Sequence, residues 1–217
     1  MKGKLGLFVS STIILVSLFF IGIKVYEKQQ DENLSFLTKS ENKIFARDYS
    51  PRWGNPEAKV VITEFLDPEC ETCREFFPLV KKIIKENNGK VQLVVRYAPF
   101  HGNSKIAVRA LEAARLQGKY WQAIEMLYHY QPEWGDHHNP RIELIYGYLE
   151  KLGLDMEKLR ADMNSPAIEK MLEQDMTDLR QLGVKYTPSF FVNGKALRNF
   201  GIMPLLELVE TEIIDKY

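Results

Sequence analysis

The sequence predicts an α/β domain behind a single N-terminal transmembrane helix. Three patterns carry that reading: an uncharged apolar run from Leu5 to Ile23, a strand–helix–strand unit between Lys59 and Tyr97, and two strands and a helix after Ser189, with a long helical block between the last two.

The apolar run comes first. As a helix rising about 1.5 Å per residue, it covers about 30 Å, the hydrocarbon thickness of a bilayer. Lys2 and Lys4 precede it and mixed charges from Lys24 to Glu32 follow. The positive-inside bias leaves residues 1–4 in the cytoplasm and carries everything after Ile23 across the membrane. A cleaved signal peptide is the alternative, but it needs a small-residue cleavage pattern, and Phe19 to Tyr26 offers none. Residues 24–55 read as a polar juxtamembrane linker, with turn signals at Ser50-Pro51 and Gly54-Asn55-Pro56. The domain is expected over residues 56–217.

Within it, Lys59–Phe65 is a β-branched run suited to a buried strand, stopped by Asp67-Pro68. Phe77, Val80, Ile83 and Ile84 give helical spacing from about Cys70 to Asn87, where Asn88-Gly89 closes the helix. Pro78 should kink it. Val91–Tyr97 is the next strand, and a strand–helix–strand order favours parallel pairing through a right-handed crossover. Helices are predicted over 104–117, 120–130, 141–152, after Asp155, and from Ser165-Pro166 to Gly183, forming an insertion of about 103–183. Ser189–Val192 and Lys195–Leu197 flank an Asn193-Gly194 hairpin turn. Met203-Pro204 opens a last amphipathic helix.

Composition narrows the function. The chain is 45% hydrophobic and 27% charged, which is ordinary globular usage, and 29 basic residues balance 29 acidic ones, without the basic excess of a nucleic-acid binder. It has two cysteines, Cys70 and Cys73. They can neither staple distant loops nor make a four-cysteine zinc site, so their use is reactivity. A Cys-x-x-Cys placed where a strand turns into a helix puts the first thiol at free N–H groups and the positive dipole end, which stabilise a thiolate. The second cysteine sits one turn on and resolves a mixed disulfide. A soft-metal site made with a histidine is the rival from another class. His137-His138, with His129 and Asp136 nearby, point in different directions, so no metal site is expected there. His101 is expected in a loop near the active face. The aromatic run Tyr120, Trp121, Tyr128, Tyr130 and Trp134 suits either a helical core or a rim around the thiols.

The segment Glu64-Phe65-Leu66-Asp67-Pro68-Glu69-Cys70-Glu71-Thr72-Cys73, followed by Phe76-Phe77-Pro78, resembles the active-site segment of DsbA-like thiol-disulfide oxidoreductases of the thioredoxin-fold family. Tyr186-Thr187-Pro188-Ser189-Phe190-Phe191-Val192-Asn193-Gly194 is similar to the family's cis-proline loop and hairpin. The resemblance implies a thioredoxin fold with an inserted helical subdomain. It implies Cys70 and Cys73 as the catalytic pair, Pro188 as a cis-proline packed against them, and Thr187 as backbone that pairs with an extended substrate. Glu64 takes the place of a buried acid that relays a proton to Cys73, or else is an outward-facing strand residue. The sequence departs at Glu71-Thr72, where the strongest oxidases carry Pro-His. With Asp67 and Glu69 also close, Cys70 is expected to be activated but less acidic than in those enzymes.

The function implied is disulfide exchange with exported cysteine-containing proteins, mainly by donation, with no cofactor beyond the redox-active pair. A quinone-linked, DsbB-like membrane protein would reoxidise it, and no nucleic acid partner is expected. The implied location is the bacterial inner membrane, single-pass, with the catalytic domain on the periplasmic side. A reductase or isomerase kept reduced by another membrane partner is the alternative within the same chemistry.

Overall fold

The structure, a computed structural model, describes residues 14–26, 28–29, 42–136 and 138–217. The chain divides into two units, residues 1–42 and 43–217. In the first, residues 14–26 are helical and their apolar side chains are exposed. Among the described residues no helix is long and apolar enough to cross a membrane; the first half of the expected span, residues 5–13, lies outside them.

The second unit is built on a mixed five-stranded sheet, ordered β1-β3-β2-β4-β5. Its strands are β1 (Arg52–Gly54), β2 (Val60–Leu66), β3 (Val91–Tyr97), β4 (Ser189–Val192) and β5 (Lys195–Ala196). As expected, β2 and β3 run parallel, joined by α1 (Glu71–Glu86), and Pro78 lies inside that helix. Strand β4 pairs antiparallel with the other edge of β2, and the Asn193-Gly194 turn returns the chain into β5 with positive φ at both residues.

The insertion contains α2 (Ser104–Leu116), α3 (Tyr120–His129), α4 (Gln131–Trp134), α5 (Leu144–Glu150), α6 (Met156–Met163) and α7 (Pro166–Gln181). Ser165 caps α7, its hydroxyl accepting from the Ile168 N–H at 3.4 Å, with Pro166 at the first position. The four-residue α4 was not expected, and α5 starts three residues later than predicted, after a turn closed by the Leu144 N–H on the Arg141 carbonyl. The chain closes with α8 (Ile202–Lys216).

The linker reading for residues 24–55 needs correction at its end. Residues 43–55 belong to the folded unit: Ile44 and Phe45 are buried, and β1 pairs antiparallel with β3. Arg52-Trp53-Gly54 is too short and too polar to show a strand period. Trp53 holds the segment down by packing at 4.9 Å on Trp121 and 6.4 Å on Phe77. Gly54 ends the strand at φ +107, where a Cβ would meet the Val91 carbonyl at 2.8 Å.

Both faces of β2 and β3 are covered. Ile62, Glu64 and Leu66 face the main core, which also takes Tyr120, Tyr128 and Trp134, so those aromatics are core rather than rim. On the opposite face Arg96 of β3 is fully buried. Its Nε and Nη2 bond Asp175 Oδ1 at 3.0 and 2.6 Å, and it also reaches Asp178 and the Ile44 carbonyl. Asp178 is further clamped by Arg47 at 2.8 and 2.7 Å. This ionic knot joins β3, α7 and the segment that leads into β1.

Candidate active site

Cys70 is the N-cap of α1, with φ −78 and ψ 121, and it lies where the parallel strand β2 delivers the chain to the helix. Both cysteines are free thiols here; Cys70 keeps 7% of its surface and Cys73 none. The Cys70 thiol donates to the Thr187 carbonyl at 3.3 Å, and the Asp67 N–H donates to Cys73 Sγ at 3.4 Å. The Thr187–Pro188 peptide is cis, with Pro188 buried and Thr187 half-buried. The structure thus brings Cys70, Cys73, Thr187 and Pro188 together.

The two sulfurs differ sharply. A hydrogen bond from Cys73 lowers the Cys70 pKa to about 6 against the opposing effect of burial, helped by the Thr187 side chain and the N–H groups of Cys73 and Thr72. Burial pushes Cys73 well above an ordinary thiol, and its bond to Cys70 and the nearby Glu64 charge push the same way. Of the two thiols, Cys70 is therefore the more readily ionised, and it is also the one that keeps some exposed surface.

Glu64 faces inward, fully buried, and neither carboxylate oxygen has a hydrogen-bond partner among the described residues. Burial, and then the Cys70 charge, raise its pKa to about 8. Alternation could not settle its direction from sequence, because apolar residues occupy both faces of β2.

Asp67 and Glu69 prove to be tethered rather than loose surface charges. Asp67 Oδ2 accepts from the N–H groups of Phe100 and His101 at 2.8 and 3.1 Å, and Oδ1 from the Ser104 hydroxyl and the Glu69 N–H. Glu69 accepts from the Asn103 N–H at 2.7 Å and from Ser104 at 3.2 Å. Both acids are spent on donors at the start of α2. His101 does sit beside the active face, its Nδ1 2.8 Å from Asp67 Oδ2. Burial opposes its charge, but Asp67, Cys70 and Glu69 hold its pKa above the usual range.

Two features escaped sequence reasoning. Gln131, at the head of α4, donates its side-chain amide to the carbonyls of Pro68 and Cys70 at 2.8 and 3.0 Å. A glutamine more than 60 positions from its target carries no local signature. An aromatic cluster is made by Phe76, tilted with its ring centroid 4.8 Å from Phe200 and 5.7 Å from Phe190, and Tyr186, Phe200 and Met203 are exposed. Among the described residues no group of three His, Cys, Asp or Glu side chains could hold a metal ion; His137 lies outside them.

A family model described as thioredoxin matches residues 47–210. The chain belongs to the thioredoxin family. Within that family it is similar to DsbA-like proteins. The crystal structure of a thioredoxin-like oxidoreductase from Silicibacter pomeroyi DSS-3 superposes with a TM-score of 0.70 at 28% identity, covering 82% of this chain and 99% of that one. The thiol-disulfide exchange protein alpha-DsbA2 from Wolbachia pipientis shares the fold, with a TM-score of 0.70 at 20% identity over 88% of this chain and 98% of its own. By sequence, a Na(+)/H(+) antiporter NhaA of Herminiimonas arsenicoxydans is 33% identical over 145 residues, 67% of this chain. The thioredoxin-family chain spans only 22% of that relative's length.

Proposed function

We propose that this thioredoxin-family protein is a thiol-disulfide oxidoreductase that donates the Cys70–Cys73 disulfide to exported cysteine-containing proteins. The separation of the two thiols, Cys70 at about 6 and Cys73 well above an ordinary thiol, carries the reading. A substrate thiolate attacks Cys70 Sγ; the Cys70–Cys73 bond breaks and Cys73 leaves. Cys73 is a poor anion, and Glu64, protonated at neutral pH with a pKa of about 8, supplies its proton. The substrate's second thiolate then attacks the substrate sulfur of the mixed disulfide and expels Cys70 as a stable thiolate. Two electrons pass from the substrate dithiol to the pair, and a quinone-linked, DsbB-like membrane protein takes them onward. Thr187 offers its backbone to an extended substrate segment, with Phe76, Phe200 and Tyr186 as an apolar surface beside it.

The same proposal places the domain outside the cytoplasm of a bacterium, anchored by Leu5–Ile23. The uncharged run behind Lys2 and Lys4 supports it, as does the helix of residues 14–26 with its exposed apolar side chains. Acid quenching of growing cells followed by alkylation tests direction, and the pair is expected mostly oxidised. A reduced majority would reassign the protein as a reductase or isomerase. After mild reduction, a membrane-impermeant maleimide should label Cys70 in intact cells; protection there would overturn the placement.

Glu64 yields a separate expectation. Its pKa of about 8 in the folded reduced protein lies above its usual 4.5, so between those values the folded state holds a proton that the unfolded chain has lost. Stability from this group is complete below 4.5 and declines as pH rises through 8. Glu64→Gln keeps the shape and removes the charge. At pH 7 it should stabilise the reduced protein by about 1–3 kcal/mol in urea unfolding, and flatten the pH dependence. It should also slow release of Cys73 about tenfold. A destabilised variant with unchanged kinetics would remove Glu64 from the proton path.

A further inference from the structure

The nucleophile's carbonyl carries a hydrogen bond from outside its own helix. Cys70 O accepts from the Arg74 N–H at 3.2 Å, the first turn of α1, and also from Gln131 Nε2 at 3.0 Å. The same nitrogen donates to Pro68 O at 2.8 Å, so one amide spans the turn that brings β2 into the helix. Gln131 is 1% exposed, and its Oε1 is buried without a hydrogen-bond partner among the described residues. The opposite orientation of the amide would set that oxygen against two carbonyl oxygens, so the donors must face the turn. A buried, unsatisfied amide oxygen carries a desolvation penalty that an apolar side chain of the same length would avoid. Gly135 allows the close approach: a Cβ there would lie 3.2 Å from the Gln131 carbonyl and 3.4 Å from Glu69 Cγ.

We propose that Gln131 is a positioning residue for the exchange reaction, by which the helical insertion sets how readily Cys70 carries negative charge. The proposal rests on Cys70 being the nucleophile. Two effects act together. A donor on the Cys70 carbonyl offsets the negative field of that oxygen near the sulfur, which the Thr72 and Cys73 N–H groups already favour as an anion. The paired bonds also fix Cys70 in the extended N-cap conformation that aims Sγ at Thr187. A more stable thiolate makes the disulfide more oxidising, because the reduced form gains.

Gln131→Met matches the side chain in length and removes the donors. Its Cys70 pKa, read from thiolate absorbance against pH, should rise, and its equilibrium with glutathione should move toward the protein disulfide by about threefold to tenfold. Gln131→Asn keeps a buried amide one carbon short of both carbonyls and should shift both readouts the same way, which guards against a methionine variant that folds poorly. A lowered melting temperature with the acid dissociation constant of Cys70 and the glutathione constant both within twofold of wild type would make Gln131 merely structural and overturn the proposal; so would a shift of opposite sign. A wild-type Cys70 that stays unreactive at pH 7 would instead overturn the nucleophile assignment beneath it.

Discussion

Cys70→Ser abolishes thiol-disulfide exchange, while Cys73→Ala leaves Cys70 able to attack and accumulates mixed disulfides that nothing resolves. The expectation follows from the unequal environments of the two sulfurs. Cys70 is largely thiolate above its pKa of about 6, whereas burial keeps Cys73 protonated far past neutrality. Alkylation of the reduced protein should therefore rise through pH 6 at Cys70 and level off by pH 7, with Cys73 silent throughout. The Cys70 term also makes the reduced fold pH-dependent. Its folded pKa is depressed, so the stability it adds is present above the ordinary thiol range and is lost as pH falls through about 6. Faster alkylation of Cys73 than Cys70 at neutral pH would reverse the roles.

Arg96→Met should cost about 3–5 kcal/mol in equilibrium unfolding, the largest loss expected from one substitution outside the thiols. The guanidinium is fully buried between Asp175 and Asp178 and also holds the Ile44 carbonyl. Removing it leaves Asp175 buried with only the Tyr97 N–H and the Tyr49 hydroxyl as donors. Asp178 would retain Arg47, so the damage should centre on Asp175. Burial opposes ionisation of Asp178, yet Arg47 and Arg96 hold its pKa below the usual value; that stability is present at neutral pH and fades in acid as the carboxylate protonates. Restoring neutrality with Arg96→Met/Asp175→Asn should recover part of the loss. A single-variant loss below about 1 kcal/mol would mean that the knot contributes nothing net.

Much of this protein was legible before its structure. The thiol pair, the Thr187-Pro188 loop and the order of elements are written in local sequence: a two-cysteine turn, an X-Pro dipeptide, a hairpin Asn-Gly, and apolar spacing that switches between strand and helix. What was not legible is set by distance and by symmetry of burial. Glu64 could not be assigned a face because Val61, Thr63 and Phe65 are as buried or nearly as buried as their neighbours. Asp67 and Glu69 read as a negative surround for Cys70, yet donors from Phe100, His101, Asn103 and Ser104, more than 30 positions on, absorb them. Glu71, which follows Cys70, is exposed. β1 was missed because three residues show no period.

The sheet order also bears on how the chain is made. Synthesis proceeds from the N-terminus, so Ile44 and Arg47 leave the ribosome long before Asp178, which is 131 residues beyond Arg47. Until α7 arrives, Arg96 and Arg47 lack their carboxylate partners and the ionic knot cannot form. Strand β2 meets β3 early, but its other edge stays open until β4 emerges, well over a hundred residues after β2. The stretch that closes that edge is the one that brings Thr187 to Cys70. A growing chain can thus hold a formed active-site helix, with both thiols, while it still lacks the loop that faces them; the site is completed only by a residue 117 positions beyond Cys70.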